Sequence, residues 1–355
     1  MTLAWVLQVP DRAALNAALI VGKGLVRLQD VPTPKIGAGE LLVGMRACGI
    51  CGTDLEKVRG DSITAPVLGH EVAGVIEELG AGVVGLSVGD RVAVHHHVSC
   101  GQCYFCKNGF ETLCDSYPRS NLDPCGLAES FRVPEALVRG GAVHRLPDSI
   151  TFEEGSQVEP TACCIRALGR VGVRLGDTAA IFGVGPVGLC HLQLLRCFGF
   201  SRVYAVDVVR KRRVYATKLG AELAFDPVTD DAPRAISLLT AGVGVDLAIV
   251  ATANLKALES AFEAVRKGGT VLQFGAPIRG SVFALDMGRM FLREVRFQSS
   301  YSTSETEMRM ALQLIASKRV RPSDIITDRL PLSSAVEALM LAGRAEAVKV
   351  IVENP

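Results

Sequence analysis

Up to about residue 150, apolar positions come in short alternating runs separated by glycine and proline, which predicts strands over 41–43, 71–79, 91–98, 127–133 and 142–146. Gly80, Gly82, Gly85, Gly89 and Asp90 mark the turn between the second and third of these. From about residue 160 the period changes. Strand-length apolar runs at 178–182, 202–206, 246–251 and 270–274 alternate with helix-compatible stretches at 186–198, 210–219 and 255–266, the rhythm of a doubly wound parallel sheet. Helices around 305–317 and 333–343 and a last strand over 348–352 could, on pattern alone, belong to either half. With no internal repeat, low-complexity stretch or Ser/Gly linker between the halves, two closely joined domains with a cleft between them are expected.

A length of 355 residues fits two domains with a full core in each and excludes one small stapled module. Lys and Arg number 38 against 37 Asp and Glu, a net charge of +1, so no global field draws the chain to nucleic acid or an anionic membrane. Hydrophobic residues at 49% and charged residues at 21% suit a soluble α/β protein and exclude a disordered one. The apolar runs fall short of the roughly 18 residues that cross a bilayer. Asp11, Arg12 and Asn16 interrupt residues 1–22, which do not read as a signal peptide, so the expected compartment is the cytoplasm. There the 11 cysteines would not form a disulfide framework: clustered ones suggest a metal, scattered ones small buried hydrophobes.

Gly183-Val184-Gly185-Pro186-Val187-Gly188 fits G-x-G-x-x-G between an apolar strand and a helix-compatible stretch. The first glycine permits the tight turn, the second a close approach of backbone to a pyrophosphate, and the third helix-on-strand packing with N–H groups facing the anion. The next strand ends at Asp207, placed to bond the adenosine ribose hydroxyls and to repel a 2′-phosphate, which favours NAD over NADP. Arg210, Lys211, Arg212 and Arg213 follow; they either greet a phosphate or form a solvated helix start, so NADP stays open, and Arg212 is taken as a cofactor contact.

Cys100, Cys103, Cys106 and Cys114 form C-x2-C-x2-C-x7-C, which suits a closed tetrahedral zinc site of the structural kind; an iron–sulfur cluster would need redox partners that nothing else here suggests. A second set is dispersed: Cys51, His70-Glu71 and Glu159. Singly, each has a plain reading, as half of a Cys48/Cys51 pair, a satisfied histidine or a helix cap. Together they supply sulfur, nitrogen and carboxylate, able to hold zinc while leaving a position free for substrate.

Gly-Ile-Cys-Gly-Thr-Asp at 49–54, Gly-His-Glu at 69–71, the four-cysteine lobe, Glu159-Pro160 and the 183–188 turn occur in the order and spacing of the zinc-dependent medium-chain dehydrogenase/reductase family, which the chain resembles over essentially its whole length. The resemblance implies an α/β architecture: a GroES-like β-rich catalytic domain over 1–158 with a structural zinc lobe at about 95–118, a Rossmann NAD-binding domain over 159–300, and a tail over 301–355 that completes the catalytic domain. Within the family the chain is more similar to the polyol (sorbitol) and threonine dehydrogenase branch. Glu159 stands where other alcohol dehydrogenases carry a third cysteine ligand, and Arg293-Glu294 resembles the Arg-Glu pair of sorbitol dehydrogenases.

Carried onto this chain, the resemblance makes Cys51 and His70 zinc ligands, Glu71 and Glu159 alternating third ligands, Cys48 a packing residue and Thr53 the hydroxyl at the inner end of a proton relay. Many relatives have a histidine five residues after the ligand cysteine; here that position is Glu56, so the outer end of the relay falls to Glu56, to water, or to one of His95, His96 and His97. Of these three, His95 and His97 are expected to face the pocket, since alternate residues of a strand share a face. The pocket itself would be shaped by the loop after Glu56, residues 121–124 and residues 299–304. The implied reaction moves a hydride from an alcohol or polyol to NAD, giving a ketone or aldehyde, with zinc as Lewis acid. Threonine-dehydrogenase-like amino-alcohol oxidation and NADP-linked carbonyl reduction are the enzyme alternatives, and a zinc-stapled nucleotide sensor without turnover is the alternative from another class. The expected partner is a small-molecule alcohol, with no nucleic acid or membrane, in a homodimer or homotetramer.

Overall fold

A computed structural model describes residues 13–60, 66–344 and 346–355. Residues 1–22, which are not expected to be a signal peptide, and the loop after Glu56 thus lie partly outside the described residues.

The chain opens with an antiparallel hairpin, β1 (Ala14–Gly22) and β2 (Leu25–Pro32), turned through Gly24 at φ 74°, where a side chain would be strained. Five strands follow: β3 (Leu41–Gly49), β4 (Glu71–Leu79), β5 (Arg91–Val94), β6 (Ser130–Val133) and β7 (Val143–Arg145). The hairpin is absent from the sequence-based expectation, and the strand expected over 91–98 stops at Val94, before the three histidines. The second half supplies β8 (Thr178–Phe182), β9 (Arg202–Val206), β10 (Leu223–Phe225), β11 (Val245–Val250), β12 (Val265–Gln273) and β13 (Arg296–Ser299); the tail supplies β14 (Ile326–Pro331) and β15 (Lys349–Glu353).

β8 to β13 form one parallel sheet in the order β10-β9-β8-β11-β12-β13, the doubly wound arrangement with its switch point between β8 and β11. β8 and β11 are near-continuous apolar runs because helices cover both their faces. The first half forms a mostly antiparallel sheet in the order β14-β15-β3-β4-β5-β7, with β6 also on β3. Through β14 and β15 the tail returns to this sheet, β15 pairing antiparallel with β3 at Ile351–Gly49. The two sheets share a core: buried Ala73, Ala93 and Leu146 of the first half are continuous with Val158, Ile165 and Leu168 and with Ile181, Leu189 and Val203 of the second.

The helix Val158–Gly169 lies at this junction. Its Cys164 thiol donates to the Val187 carbonyl at 3.7 Å, and the Cys190 thiol donates to Thr161 Oγ1 at 3.7 Å, seating it on the helix Pro186–Cys197. Farther along, Arg166 pairs with Glu111 at 3.2 Å, and Arg170 donates to the Gly109 carbonyl at 2.8 Å while lying over the Phe110 ring at 4.5 Å. One helix thus joins the cysteine-rich lobe to the parallel sheet.

Candidate metal and dinucleotide site

Cys51 caps the N-terminus of the helix Gly52–Arg59, so its position is fixed by the start of that helix. Asp54, in the first turn, is fully buried. Its Oδ2 accepts from Cys51 N at 3.0 Å, its Oδ1 accepts from Gly69 N at 3.1 Å, and Oδ1 stands 3.4 Å from His70 Nδ1. One carboxylate therefore ties the cysteine segment to the histidine segment and backs the imidazole, as carboxylates do behind metal-binding histidines. Burial alone would raise the Asp54 pKa, but His70 and Lys57 bring it down to about 2. Sequence reasoning quoted Asp54 within the motif and gave it no role.

One donor atom from each of Cys51, His70 and Glu71 lies within 4.8 Å of the others, and so does one from each of His95, His96 and Glu159. One Glu71 oxygen is already engaged: Lys349, from β15, forms a buried ion pair with Oε2, and Gln157 Nε2 donates to the same oxygen at 3.3 Å. Lys349 also donates to the Ile50 carbonyl at 3.0 Å. Burial opposes charge on Lys349, yet Glu71, with Cys51 and Asp54 near, raises its pKa above the ordinary lysine value. Glu159 accepts a thiol hydrogen bond from Cys163, one helical turn on, at 3.3 Å, and burial pushes its pKa up. The structure thus groups Cys51 and the carboxylate-backed His70 with Glu71, and sets Glu159 in a second donor group with His95 and His96; sulfur, imidazole and carboxylate of this kind suit a zinc ion with an open position.

Thr53 and Glu56 are half-buried and three residues apart on one face of the Gly52–Arg59 helix. The strand alternation expected to aim His95 and His97 at the pocket ends at Val94. His95 donates through Nδ1 to Glu305 at 2.7 Å, and its Nε2 lies 3.2 Å from Tyr117 Oη. Tyr117 lies 2.7 Å from Ser302 Oγ and donates to the Thr303 carbonyl at 2.7 Å, bringing part of the 299–304 segment to the site. His144 takes the second Glu305 oxygen at 2.6 Å; despite burial, the two histidines hold the Glu305 pKa below its usual value. His97 Nδ1 reaches the Ser120 carbonyl at 2.7 Å. It is His96, the middle one, whose ring lies beside His70, tilted by 44° with centroids 4.9 Å apart. Burial and the neighbouring histidines push the His96 pKa well down, and that of His97 to about 4.

In the lobe, one sulfur from each of Cys100, Cys103, Cys106 and Cys114 falls within 4.8 Å of the rest, with Cys100–Cys106 at 3.9 Å and Cys103–Cys106 at 3.5 Å. Four sulfurs around zinc at about 2.3 Å are roughly 3.8 Å apart, so the cluster has nearly the span of a loaded site. Cys114 accepts from Cys100 N at 3.4 Å; that N–H and Ser116 N–H outweigh burial and bring its pKa down to about 6.

At the glycine turn, Gly183 has φ +90°, and a Cβ on Gly188 would stand 2.1 Å from the Gly183 carbonyl oxygen. Among the described residues a Cβ on Gly185 would meet only the Arg212 guanidinium, at 3.8 Å, and Arg212 Nε is buried without a partner. Val184 opens the turn's backbone, Pro186 occupies the first helical turn, and Val187 is half-buried behind it. Asp207 accepts from Val184 N and Val209 N, each at 2.8 Å, one per carboxylate oxygen. Each oxygen keeps a lone pair for a ribose hydroxyl. An open glycine face beside the Arg212 guanidinium fits a dinucleotide pyrophosphate. Of the neighbouring basic residues, Arg213 is spent on the Asp207 carbonyl at 2.6 Å and on Asp226 at 3.0 Å, and Lys211 on the Glu346 carbonyl at 2.6 Å. Arg293 donates to the Phe262 carbonyl at 2.8 Å and to that of Val265, while Glu294, at φ 49°, ends the helix Met287–Arg293.

Comparison with known proteins agrees with this geometry. A family profile described as "Alcohol dehydrogenase GroES-like domain" matches residues 37–148, and one described as "Zinc-binding dehydrogenase" matches residues 186–317. The sorbitol dehydrogenase of Bacillus subtilis strain 168 is 31% identical over 346 residues, covering 95% of this chain and 97% of that one. This chain belongs to the zinc-dependent medium-chain dehydrogenases. D-xylulose reductase A of Aspergillus oryzae is another relative of this dehydrogenase, 28% identical across 97% of this chain and 98% of its own. Among solved structures, a zinc-binding dehydrogenase from Sinorhizobium meliloti 1021 bound to NADP superposes with a TM-score of 0.89 at 28% identity, covering 97% of this chain and 100% of that one. The 2R,3R-butanediol dehydrogenase of Bacillus subtilis superposes with a TM-score of 0.84 at 27% identity, covering 96% and 100%. As a member of the family, the dehydrogenase is an NAD(P)-linked, zinc-dependent oxidoreductase of alcohols. Among the described residues no helix is long and apolar enough to cross a membrane.

Proposed function

We infer that this dehydrogenase interconverts a secondary alcohol or polyol and its ketone with NAD as the redox partner. The packing of the Glu159 helix on the helix opened by the glycine turn carries the reading, since it sets a ligand of one site against the binding edge of the other. Cys51, His70 and Glu159 would hold the catalytic zinc, with Asp54 orienting His70 and Lys349 keeping Glu71 outside the ligand set. Zinc supplies Lewis acidity and NAD accepts the hydride. Thr53 takes up the proton of the reacting alcohol at its hydroxyl and passes it outward, with Glu56 on the same helix face as the next acceptor. Gly185 and Arg212 bind the pyrophosphate, and the Asp207 carboxylate disfavours the 2′-phosphate of NADP. Cys100, Cys103, Cys106 and Cys114 hold a structural zinc.

The catalytic domain would comprise residues 1–158 and 301–355, and the Rossmann domain 159–300. β13 lies at the edge of the parallel sheet, with exposed Phe291, Leu292 and Phe297 beside it, which suits a homodimer or homotetramer joined along that edge. The relatives named above suggest polyols as the substrate class. The test is NADH formation from secondary alcohols, polyols and threonine with both cofactors, before and after zinc removal. Zinc-dependent turnover with NAD preferred is the expected result; cofactor binding without turnover of any substrate would leave the nucleotide-sensor reading.

A further inference from the structure

The three consecutive histidines after β5 do three different things. His95 is clamped by Glu305 and Tyr117, and His97 is held by the Ser120 carbonyl. With both neighbours fixed, the backbone between them is fixed, and the His96 ring is held between His70 and Glu159. Its centroid is 4.9 Å from that of His70, and one of its nitrogens lies within 4.8 Å of a Glu159 oxygen. Yet His96 is 93% buried, with Nδ1 lacking a hydrogen-bond partner among the described residues. Leaving a buried polar atom unpaired costs about 1–3 kcal/mol, so such an atom on a side chain beside a ligand site calls for a partner from the ligand.

We propose that His96 recognises a second hydroxyl, on the carbon next to the reacting one, and so selects vicinal diols and polyols over simple alcohols. This deepens the dehydrogenase reading and rests on it. The reacting hydroxyl occupies the open side of the Cys51, His70 and Glu159 set, and His96 stands beside two of those three residues, within reach of the neighbouring carbon. A neutral imidazole brings one donor and one acceptor, matching a hydroxyl that can both accept and donate. A simple alcohol offers nothing there, and a site built to bond a hydroxyl discriminates strongly against the analogue that lacks it.

The test pairs substrates of one skeleton, 2,3-butanediol with 2-butanol and xylitol with 2-pentanol, on the zinc-loaded full chain with NAD. The wild type should favour the hydroxyl-rich member of each pair. In His96→Phe the ratio of kcat/KM between the members should fall at least tenfold, and His96→Asn should recover part of it. The calorimetric Kd of the diol or polyol for the enzyme–NADH complex should rise in His96→Phe, with two zinc per chain retained. An unchanged ratio, an equal loss on both members, or loss of a zinc from His96→Phe would overturn the proposal; the last would make His96 a ligand. If the wild type turns over no member of either pair, the dehydrogenase reading fails and this proposal falls with it.

Discussion

Removing the Lys349 ammonium while keeping its bulk, in Lys349→Met, isolates one of the most buried charges in the molecule. The side chains of Lys349 and Glu71 are 2% and 1% exposed, and the carboxylate's remaining contact is the 3.3 Å hydrogen bond from Gln157. Breaking such a pair from one side costs about 3–5 kcal/mol, because the other charge stays buried and unpaired. With an unfolding entropy near 2.1 cal/mol/K per residue over 355 residues, that is a drop in Tm of roughly 4–7 °C if the chain melts as one unit, and more if the catalytic half melts alone. Replacing both members, in Glu71→Gln/Lys349→Met, leaves no orphaned charge and should restore most of the loss, since neutral substitutes for a buried pair are often no less stable. Thermal melts of the wild type, both single variants and the double variant, followed by circular dichroism, give the coupling. The functional side follows from the same geometry: in Lys349→Met the freed Glu71 carboxylate competes for the metal, so kcat should fall further than stability alone explains. A double variant as unstable as Lys349→Met, or a single variant that melts with the wild type, refutes the reasoning.

Three other outcomes are expected. Metal analysis should give two zinc per chain; Cys51→Ala should abolish turnover with the fold retained, whereas Cys103→Ala should lose the lobe's zinc and lower Tm, and equal mild effects would deny the division of labour. Gly188→Ala must move its helix away from the Gly183 carbonyl, a Cβ contact of 2.1 Å; a displacement near 1 Å should raise the Kd for NADH at least tenfold, measured by its fluorescence, with a much smaller effect on Tm. Asp246 accepts from Thr178 N and Oγ1 at 2.8 Å each and from Arg266 at 2.7 Å, which together overcome burial and lower its pKa. Its stabilising contribution is therefore full above the ordinary carboxylate pKa and lost as pH falls through the depressed value. Asp246→Asn should melt below the wild type at pH 7, by roughly 1 kcal/mol, with the gap closing in acid; a gap independent of pH would contradict the shift.

What the sequence made legible was local. The glycine turn, the four-cysteine lobe and the Cys51 and His70 motifs each carry their chemistry within a few residues, and the change of period near residue 160 announces the parallel sheet. What it hid was long-range. Lys349 meets Glu71 across 278 positions, and Glu305 meets His95 across 210 and His144 across 161; a lone lysine or glutamate in the tail looks like any surface charge. The histidine run misled for a different reason: alternation is a property of strands, and the ladder stops at Val94, one residue before the run begins. Strand ends are set by which partner backbone is present, and that is decided elsewhere in the chain.

The helix Val158–Gly169 has a consequence for how the molecule can diverge. Glu159 and Cys163 occupy its first turns, Thr161 and Cys164 touch the dinucleotide side, and Arg166, with Arg170 at the C-cap just beyond, grips the cysteine lobe. Twelve residues thus serve three masters at once, so drift here is policed from every direction, while the loops around it are free to be rewritten for new substrates without disturbing the machinery it aligns.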